Sequence, residues 1–360
     1  MTAEKLELTN FRNYKDLVLD LSENVNILYG NNAQGKTNVL EAIYLCSTTK
    51  SHKGSKDKDM VKIGEDEAHL RMFITKNGIN HKIDMQLRRS GKKSVAVDGI
   101  PIKKASELYG LVNVVLFSPE DLSMIKNAPA ERRRFMDAEL CQLNKLYLQY
   151  LAKYNKILDQ RNDLLKQISF RPDLKETLEI WDEQLVESGK FIINERKKFI
   201  EDINELVHEI HPRISGGCEE LTVIYEPNTT SNRFKETLRA GLDKDLYSKT
   251  TGAGPHRDDI SFFTGEKNIK LFGSQGQQRT VALSLKLAEI ELVKRKIGEN
   301  PILLLDDVLS ELDRNRQQAL LNFIDGIQTV ITCTGLEEFV GYRSGLNTLY
   351  KVTDGVIERI

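Results

Sequence analysis

What this chain lacks narrows its identity first. No apolar run approaches the roughly 20 residues that a membrane-spanning helix requires, so membrane passage is not expected. The opening Met1-Thr2-Ala3-Glu4-Lys5-Leu6-Glu7 has no basic stretch leading into an apolar one, which argues against a secretory signal. Only 4 cysteines occur in 360 residues (Cys46, Cys141, Cys218, Cys333), none of them in a C-x-x-C pair. Such spacing excludes a zinc framework or disulfide scaffold and suits reduced thiols in the cytoplasm. Excess charge of one sign is also missing. A formal net charge of −1 means that any face for nucleic acid must be a local patch. Internal repeats and low-complexity segments are absent as well.

With 40% hydrophobic and 29% charged residues, the chain can bury an ordinary core. Its length favours two domains, or one domain carrying a large insertion. Near-alternating apolar residues (Leu6, Leu8, Phe11), then Leu17–Leu21 and Val25–Tyr29, predict short strands. Residues 68–76, 79–88 and 93–97 predict further strands, with Asp98-Gly99 as a two-residue hairpin turn. The texture changes after Val112–Phe117. Residues 131–168 and 181–211 are highly charged with apolar residues at helical spacing, broken by Ser169-Phe170-Arg171-Pro172-Asp173. Two helices of about 30 residues would form an antiparallel hairpin roughly 45 Å long. Strand and helix patterns then return at Leu221–Tyr225, Ile260–Phe263, Ser274–Ile297, Ile302–Leu305, Asp313–Ile324 and Val330–Cys333. The expected class is α/β, with a split head (1–120 plus 250–360) enclosing a helical arm (121–249).

Chemistry enters at Gly30-Asn31-Asn32-Ala33-Gln34-Gly35-Lys36-Thr37, which matches G-x-x-x-x-G-K-[ST] between a strand and a helix. Glycines let the loop turn its backbone N–H groups toward a phosphate, and the helix start adds its positive end. Lys36 would neutralise the β/γ-phosphates and the Thr37 hydroxyl would ligate Mg²⁺. Pro301-Ile302-Leu303-Leu304-Leu305-Asp306-Asp307 is a buried strand ending in two carboxylates. Asp306 would hold Mg²⁺ beside Thr37, and Asp307 would orient or deprotonate an attacking water. Gly273-Ser274-Gln275-Gly276-Gln277-Gln278-Arg279 opens a helix upstream of that strand. Its Ser274-x-x-Gln277 spacing is equally a capping box, and a serine-capped helix start is itself an anion site. Asp313, in Ser310-Glu311-Leu312-Asp313, is either an interface residue or a helix N-cap.

The turn Gly273–Arg279 at the place of an ABC signature, the carboxylate strand, and Ser310–Asp313 at the place of a D-loop, in that order and with the phosphate loop some 270 residues upstream, resemble the SMC-related ABC ATPases. The strings Leu8–Tyr14, Gly30–Asn38, Lys50-Ser51-His52, Phe117–Leu122, Arg132–Asp137 and Gly254–Asp259 are similar to those of the RecF family within that group. The resemblance implies an ATP-driven head-to-tail homodimer in which each signature meets the nucleotide on its partner's phosphate loop. It assigns Arg12, Ser274, Gly276, Gln277 and Asp313 to nucleotide binding. It further implies a slow, DNA-stimulated ATPase acting with RecO and RecR at single-stranded, gapped or double-stranded DNA. That activity would assist RecA loading in recombination, replication, repair and the SOS response to DNA damage. Two departures predict weak hydrolysis: Asp307 stands where ABC proteins usually carry glutamate, and Ile331-Thr332-Cys333-Thr334 offers no switch histidine.

Lys50, Lys53, Lys56, Lys58 and Lys62 form one basic cluster, and Arg88, Arg89, Lys92 and Lys93 a second. Each is either a solvated face or a contact for DNA. The triplet Arg132-Arg133-Arg134 falls in the first turn of a helix, where cations oppose the helix dipole by about 0.3–1 kcal/mol each. Stability alone does not place arginines there, which leaves phosphate contact or pairing with another lobe. Two other classes remain open: the nucleotide-binding subunit of another ABC system, or a small-molecule kinase using only the phosphate loop.

Overall fold

The computed structural model describes residues 1–217, 219–335 and 347–360, so Cys218 lies outside the described residues. The chain divides into two compact units, Met1–Leu122 with Lys286–Ile360, and Ser123–Leu285. No helix among the described residues is long and apolar enough to cross a membrane.

The first unit begins with β1 (Thr2–Phe11), β2 (Tyr14–Asp20), β3 (Val25–Tyr29), α1 (Lys36–Thr48) and the short α2 (Asp57–Met60). It continues through β4 (Glu67–Lys76), β5 (Ile79–Arg88), β6 (Ser94–Val97), β7 (Ile100–Pro101), β8 (Val114–Phe117) and α3 (Pro119–Ser123). The second unit holds α4 (Pro129–Leu143), α5 (Lys145–Ile168), α6 (Leu178–Ser215), β9 (Leu221–Glu226), α7 (Phe234–Ala240) and α8 (Leu242–Ser248). There follow β10 (Asp259–Thr264), β11 (Lys267–Asn268), α9 (Ile269–Phe272) and α10 (Gln275–Ile297), within which the division at Lys286 falls. The chain closes with β12 (Ile302–Asp306), α11 (Arg314–Phe323), β13 (Thr329–Cys333), β14 (Asn347–Thr353) and β15 (Val356–Arg359).

Two six-stranded sheets build the first unit. One is antiparallel, in the order β2-β1-β4-β5-β6-β7. Its strands alternate, so that Leu6, Leu8, Leu70 and Met72 face the core while Glu7, Thr9, His69 and Arg71 face out. Asp98 and Gly99, both at positive φ, turn β6 into β7 as their sequence demands. The other sheet runs β15-β14-β3-β13-β12-β8, parallel throughout except at β15. β12 and β13 are buried along their whole length, the signature of a parallel strand covered on both faces. An α/β head of ABC type carrying an inserted helical hairpin is therefore the fold class, as the sequence predicts.

The insertion departs from expectation in two respects. Residues 131–168 do not form one helix, because the Asn144 side chain accepts from the Leu146 and Tyr147 amides and starts α5 anew. An asparagine that caps its own downstream turn leaves helical φ/ψ, and the chain bends there. α6 is instead longer than predicted at 38 residues, about 57 Å. The second domain boundary also moves. Residues 250–285 belong to the inserted unit, because β10 pairs with β9 over six residues from Asp259↔Glu226 to Thr264↔Leu221.

Buried arginines tie this unit together. Arg161 reaches Asp182 at 2.6 Å and Asp245 at 2.7 Å, and Arg196 reaches Asp137 at 2.8 Å and Asp258 at 2.9 Å. Arg132 is fully buried and forks onto Asp259 at 2.6 and 2.9 Å. This corrects the placement of Arg132 on a DNA face: its guanidinium has no access to a phosphate. Arg133 donates to the Asp258 carbonyl at 2.7 Å, so pairing within the lobe accounts for it as well, while Arg134 is exposed. Burial pulls His256 down to about pKa 4, leaving a neutral ring between Tyr154 and the Thr251 carbonyl. The Gly254–Asp259 string is thus packing machinery.

Arg132→Ala leaves Asp259 without its partner and is expected to cost about 3–5 kcal/mol. Lys56→Ala, at an exposed position, should stay within about 0.5 kcal/mol of the parent. Urea denaturation followed by helical ellipticity checks both. A stable Arg132→Ala chain would mean that the ion pair does not carry the lobe.

Candidate functional site

β3 delivers the phosphate loop at its C-terminal end, and α1 departs from the other side of the loop. Two glycines make the turn possible. Gly30 sits at φ 154°, where an added Cβ would lie 2.3 Å from the Val352 carbonyl oxygen. Gly35 sits at φ 109°, where a Cβ would strike the Asn13 side chain. Only glycine tolerates both the backbone angle and the space. Props hold the loop from outside. Asn13 Nδ2 donates to the Gln34 carbonyl at 2.9 Å, Asn38 Nδ2 donates to Asn13 Oδ1 at 2.8 Å, and the Tyr14 hydroxyl donates to the Gly35 carbonyl at 3.0 Å. The β14–β15 turn supports it too, the Gly355 amide meeting the Gln34 carbonyl at 3.2 Å and the Asp354 amide meeting the Gln34 side chain.

Lys36 is buried, with Nζ donating to the Gly30 and Asn31 carbonyls at 2.6 and 2.8 Å. Burial lowers its pKa, against the opposing pull of Asp307 and Asp306. Thr37 Oγ1 donates to Asp306 Oδ1 at 2.7 Å, which puts the hydroxyl and the first carboxylate side by side. Thr332 completes the arrangement from β13: its hydroxyl donates to Asp306 Oδ1 at 2.8 Å and accepts from the Asp307 amide at 2.9 Å. Asp307 is pinned in the left-handed region at φ 53°, and its buried Oδ1 has no hydrogen-bond partner among the described residues. Burial raises its pKa, helped by Asp306 and Glu311 and resisted by Lys36. A raised pKa makes Asp307 a better proton acceptor than an ordinary carboxylate.

Thr332 was legible only as the absence of a histidine. Its hydroxyl, linking the Asp306 carboxylate to the Asp307 backbone amide, is the contact the sequence did not reveal. Glu41 was missed altogether. It is buried on α1, where Arg12 forks onto it through Nε and Nη2 at 2.8 Å each and Ser51 Oγ donates at 2.5 Å. Burial alone would raise the Glu41 pKa, yet these hydrogen bonds and the Arg12 charge prevail and lower it. Arg12 also donates to Ser55 Oγ at 2.7 Å and the Asp59 carbonyl at 2.9 Å, so its donors anchor the β1–β2 turn on α1 and on the segment through α2.

The signature turn belongs to the second unit. Ser274 and Gln277 form the capping box, the Ser274 amide reaching Gln277 Oε1 at 3.0 Å and the Gln277 amide reaching Ser274 Oγ at 3.2 Å. Ser274 is exposed, and so are Leu271 and Phe272 just before it, at 68% each. That is a large apolar exposure for a short helix. Asp313 proves to be the N-cap of α11, its carboxylate accepting from the Arg316 amide at 3.0 Å. Exposed Lys53 and Lys56 follow α1. Lys93 donates to the Thr49 carbonyl and pairs with Asp57 at 2.9 Å, while Arg89 donates to the Lys62 carbonyl at 2.9 Å. Two basic clusters that are distant in sequence thus form one patch.

Residues 2–357 match the family of RecF/RecN/SMC N terminal domains. The chain is 56% identical over 359 residues to the DNA replication and repair protein RecF of Lachnoclostridium phytofermentans, covering 100% of both. It is 46% identical over 366 residues to the protein of the same name from Clostridium botulinum, again covering 100% of both. Among solved structures, the recombination mediator protein RecF-ATPrS of the RecFOR pathway aligns at a TM-score of 0.93 and 36% identity, over 100% of this chain and 98% of that one. The corresponding RecF-ATP structure aligns at 0.91 and 36%, over 99% and 97%. An Smc head domain from Pyrococcus furiosus, at 0.57 and 19% identity over 99% and 95%, shares the fold. The chain belongs to the RecF/RecN/SMC N-terminal domain family, on its RecF branch.

Proposed function

We propose that the protein is an ATP-dependent DNA-binding switch of recombinational repair and replication restart. ATP binding joins two copies head to tail on DNA, and slow hydrolysis releases them. The observation that carries this reading is the cluster of Thr37, Asp306, Asp307 and Thr332 beside the Lys36 loop. The loop amides and Lys36 grip the triphosphate, whose oxygens take over from the carbonyls that Lys36 now meets. Thr37 and Asp306 offer the hard oxygen donors that Mg²⁺ takes alongside phosphates, and the ion supplies charge neutralisation at the transferred group. Asp307 takes the proton of the attacking water through an oxygen that no hydrogen-bond donor engages among the described residues. Its side chain is one methylene shorter than glutamate, and Thr332 carries no titratable proton, so turnover is slow.

The exposed Leu271–Phe272 pair and the Ser274 helix start suit burial against the nucleotide face of a second copy. Partners by this reading are single-stranded, gapped and double-stranded DNA, with RecO and RecR and, through them, RecA. Lys53 and Lys56, on the joined basic patch, are the candidates for phosphate contact.

Lys36→Arg should weaken ATP binding about tenfold or more and raise the ATP needed for association, because the loop carbonyls fit a point charge and not a planar fork. Sedimentation with and without ATP checks this, and unchanged association counts against it. Asp307→Asn should bind ATP normally yet hydrolyse about a hundredfold more slowly, leaving a longer-lived assembly. Parental turnover in a phosphate-release assay would remove Asp307 from proton transfer. Replacing Lys53 and Lys56 together by alanine should lower the slope of log affinity for DNA against log salt by about 2. An unaltered slope takes them off the DNA face.

A further inference from the structure

Gln277 has its side-chain amide held at both ends. The carbonyl oxygen accepts from the Ser274 amide at 3.0 Å and from Lys267 Nζ at 2.9 Å, while Nε2 donates to Glu219 Oε1 at 2.7 Å. The amide cannot turn over, since that would set its NH₂ against an ammonium and a backbone N–H. Glu219 comes from the segment after α6, and its Oε2 lies 3.9 Å from His211 Nε2. His211 in turn hydrogen-bonds Ser284 of α10 through Nδ1 at 2.8 Å. The end of the long hairpin helix, the β11 strand and the signature helix thus converge on one side chain.

That side chain holds the Ser274 backbone N–H, and with it the turn that carries the Ser274 hydroxyl. Within the same turn Ser274 Oγ accepts the Gln277 backbone N–H at 3.2 Å, which occupies a lone pair and leaves the O–H able to donate to a ligand. A hydroxyl held at an exposed helix start in this way is placed to donate to a phosphate. If the Gln277 amide swings free, the bond it receives from the Ser274 amide is lost and the turn frays.

We propose that Glu219, assisted by Lys267, is the positioning residue of the signature turn. It locks the Gln277 amide and thereby aims the Ser274 O–H and the α10 N-terminus at the triphosphate carried by a second copy. The idea rests on the ATP-bridged assembly proposed above, but its local half is measurable without it.

Hydrogen–deuterium exchange of the full chain reads the turn directly, and sedimentation across an ATP series reads its consequence. Glu219→Ala should speed exchange at residues 274–277 about fivefold and raise the ATP needed for half-association by a similar factor. Binding of a fluorescent ATP analogue by single copies should be unchanged, since Lys36 lies elsewhere. Glu219→Gln keeps an acceptor for Gln277 and should restore both readouts. If Glu219→Ala fails to fold, Lys267→Met removes the other tie to the same amide and should accelerate exchange in the same window. Unaltered exchange there, faster exchange spread over all of α10, or no rescue by glutamine would overturn the proposal. Should the parent chain not associate with ATP, the assembly reading falls, while the exchange data still decide the role of Glu219.

Discussion

The register of three parallel strands is the constraint from which the nucleotide site follows. β3 ends at Tyr29 opposite Cys333, and β12 ends at Asp306 opposite Thr332, so phosphate loop, hydroxyl and carboxylates leave the sheet at one edge. A slip of one residue along β12 would turn Asp306 to the opposite face and break its bonds to Thr37 and Thr332 together. The buried strands resist such a slip because their apolar side chains fill both faces of the sheet. Rigidity of the scaffold is what allows a short loop to be held to hydrogen-bond precision, and the props from Asn13, Tyr14 and the β14–β15 turn extend it to the loop itself.

The inserted unit solves a different problem by different means. Its long helices carry buried arginines (Arg132, Arg161 and Arg196), each desolvated and each facing one or two aspartates. Such pairs contribute little net stability against an apolar alternative, but losing one member is severe because the other remains buried. They also have directionality that leucines lack. Asp258 and Asp259 meet arginines from α6 and α4, so the start of β10 has one acceptable placement. Ionic packing of this kind specifies an arrangement more than it strengthens one.

Most of the head was legible in the sequence because the signals were local. The loop Gly30–Thr37, the apolar run Ile302–Leu305 and the Asp98-Gly99 turn each encode their structure within a few residues. The Ser274–Gln277 box was legible for the same reason, and its cap and anion-site readings are compatible in the structure. What escaped depended on partners distant in sequence. For Arg132 the choice between phosphate contact and pairing with another lobe stayed open because Asp259 lies far along the chain, and Glu41 gave no sign of its bond to Arg12. The second boundary was misjudged because the β9–β10 pairing spans residues that look like the return of the head. Asn144 was the one local signal overlooked: a capping residue in the middle of a continuous helical pattern marks a break.

The β14–β15 turn has a consequence for anyone handling this protein. Gln34 is grasped by the backbone of Asp354 and Gly355, and Gly30 lies directly against Val352. An insertion or fluorophore placed in the β14–β15 turn would therefore tug on the same hairpin that steadies the Gly30–Thr37 loop. Labels for single-molecule work belong instead near exposed Phe170, between α5 and α6, which makes none of these contacts.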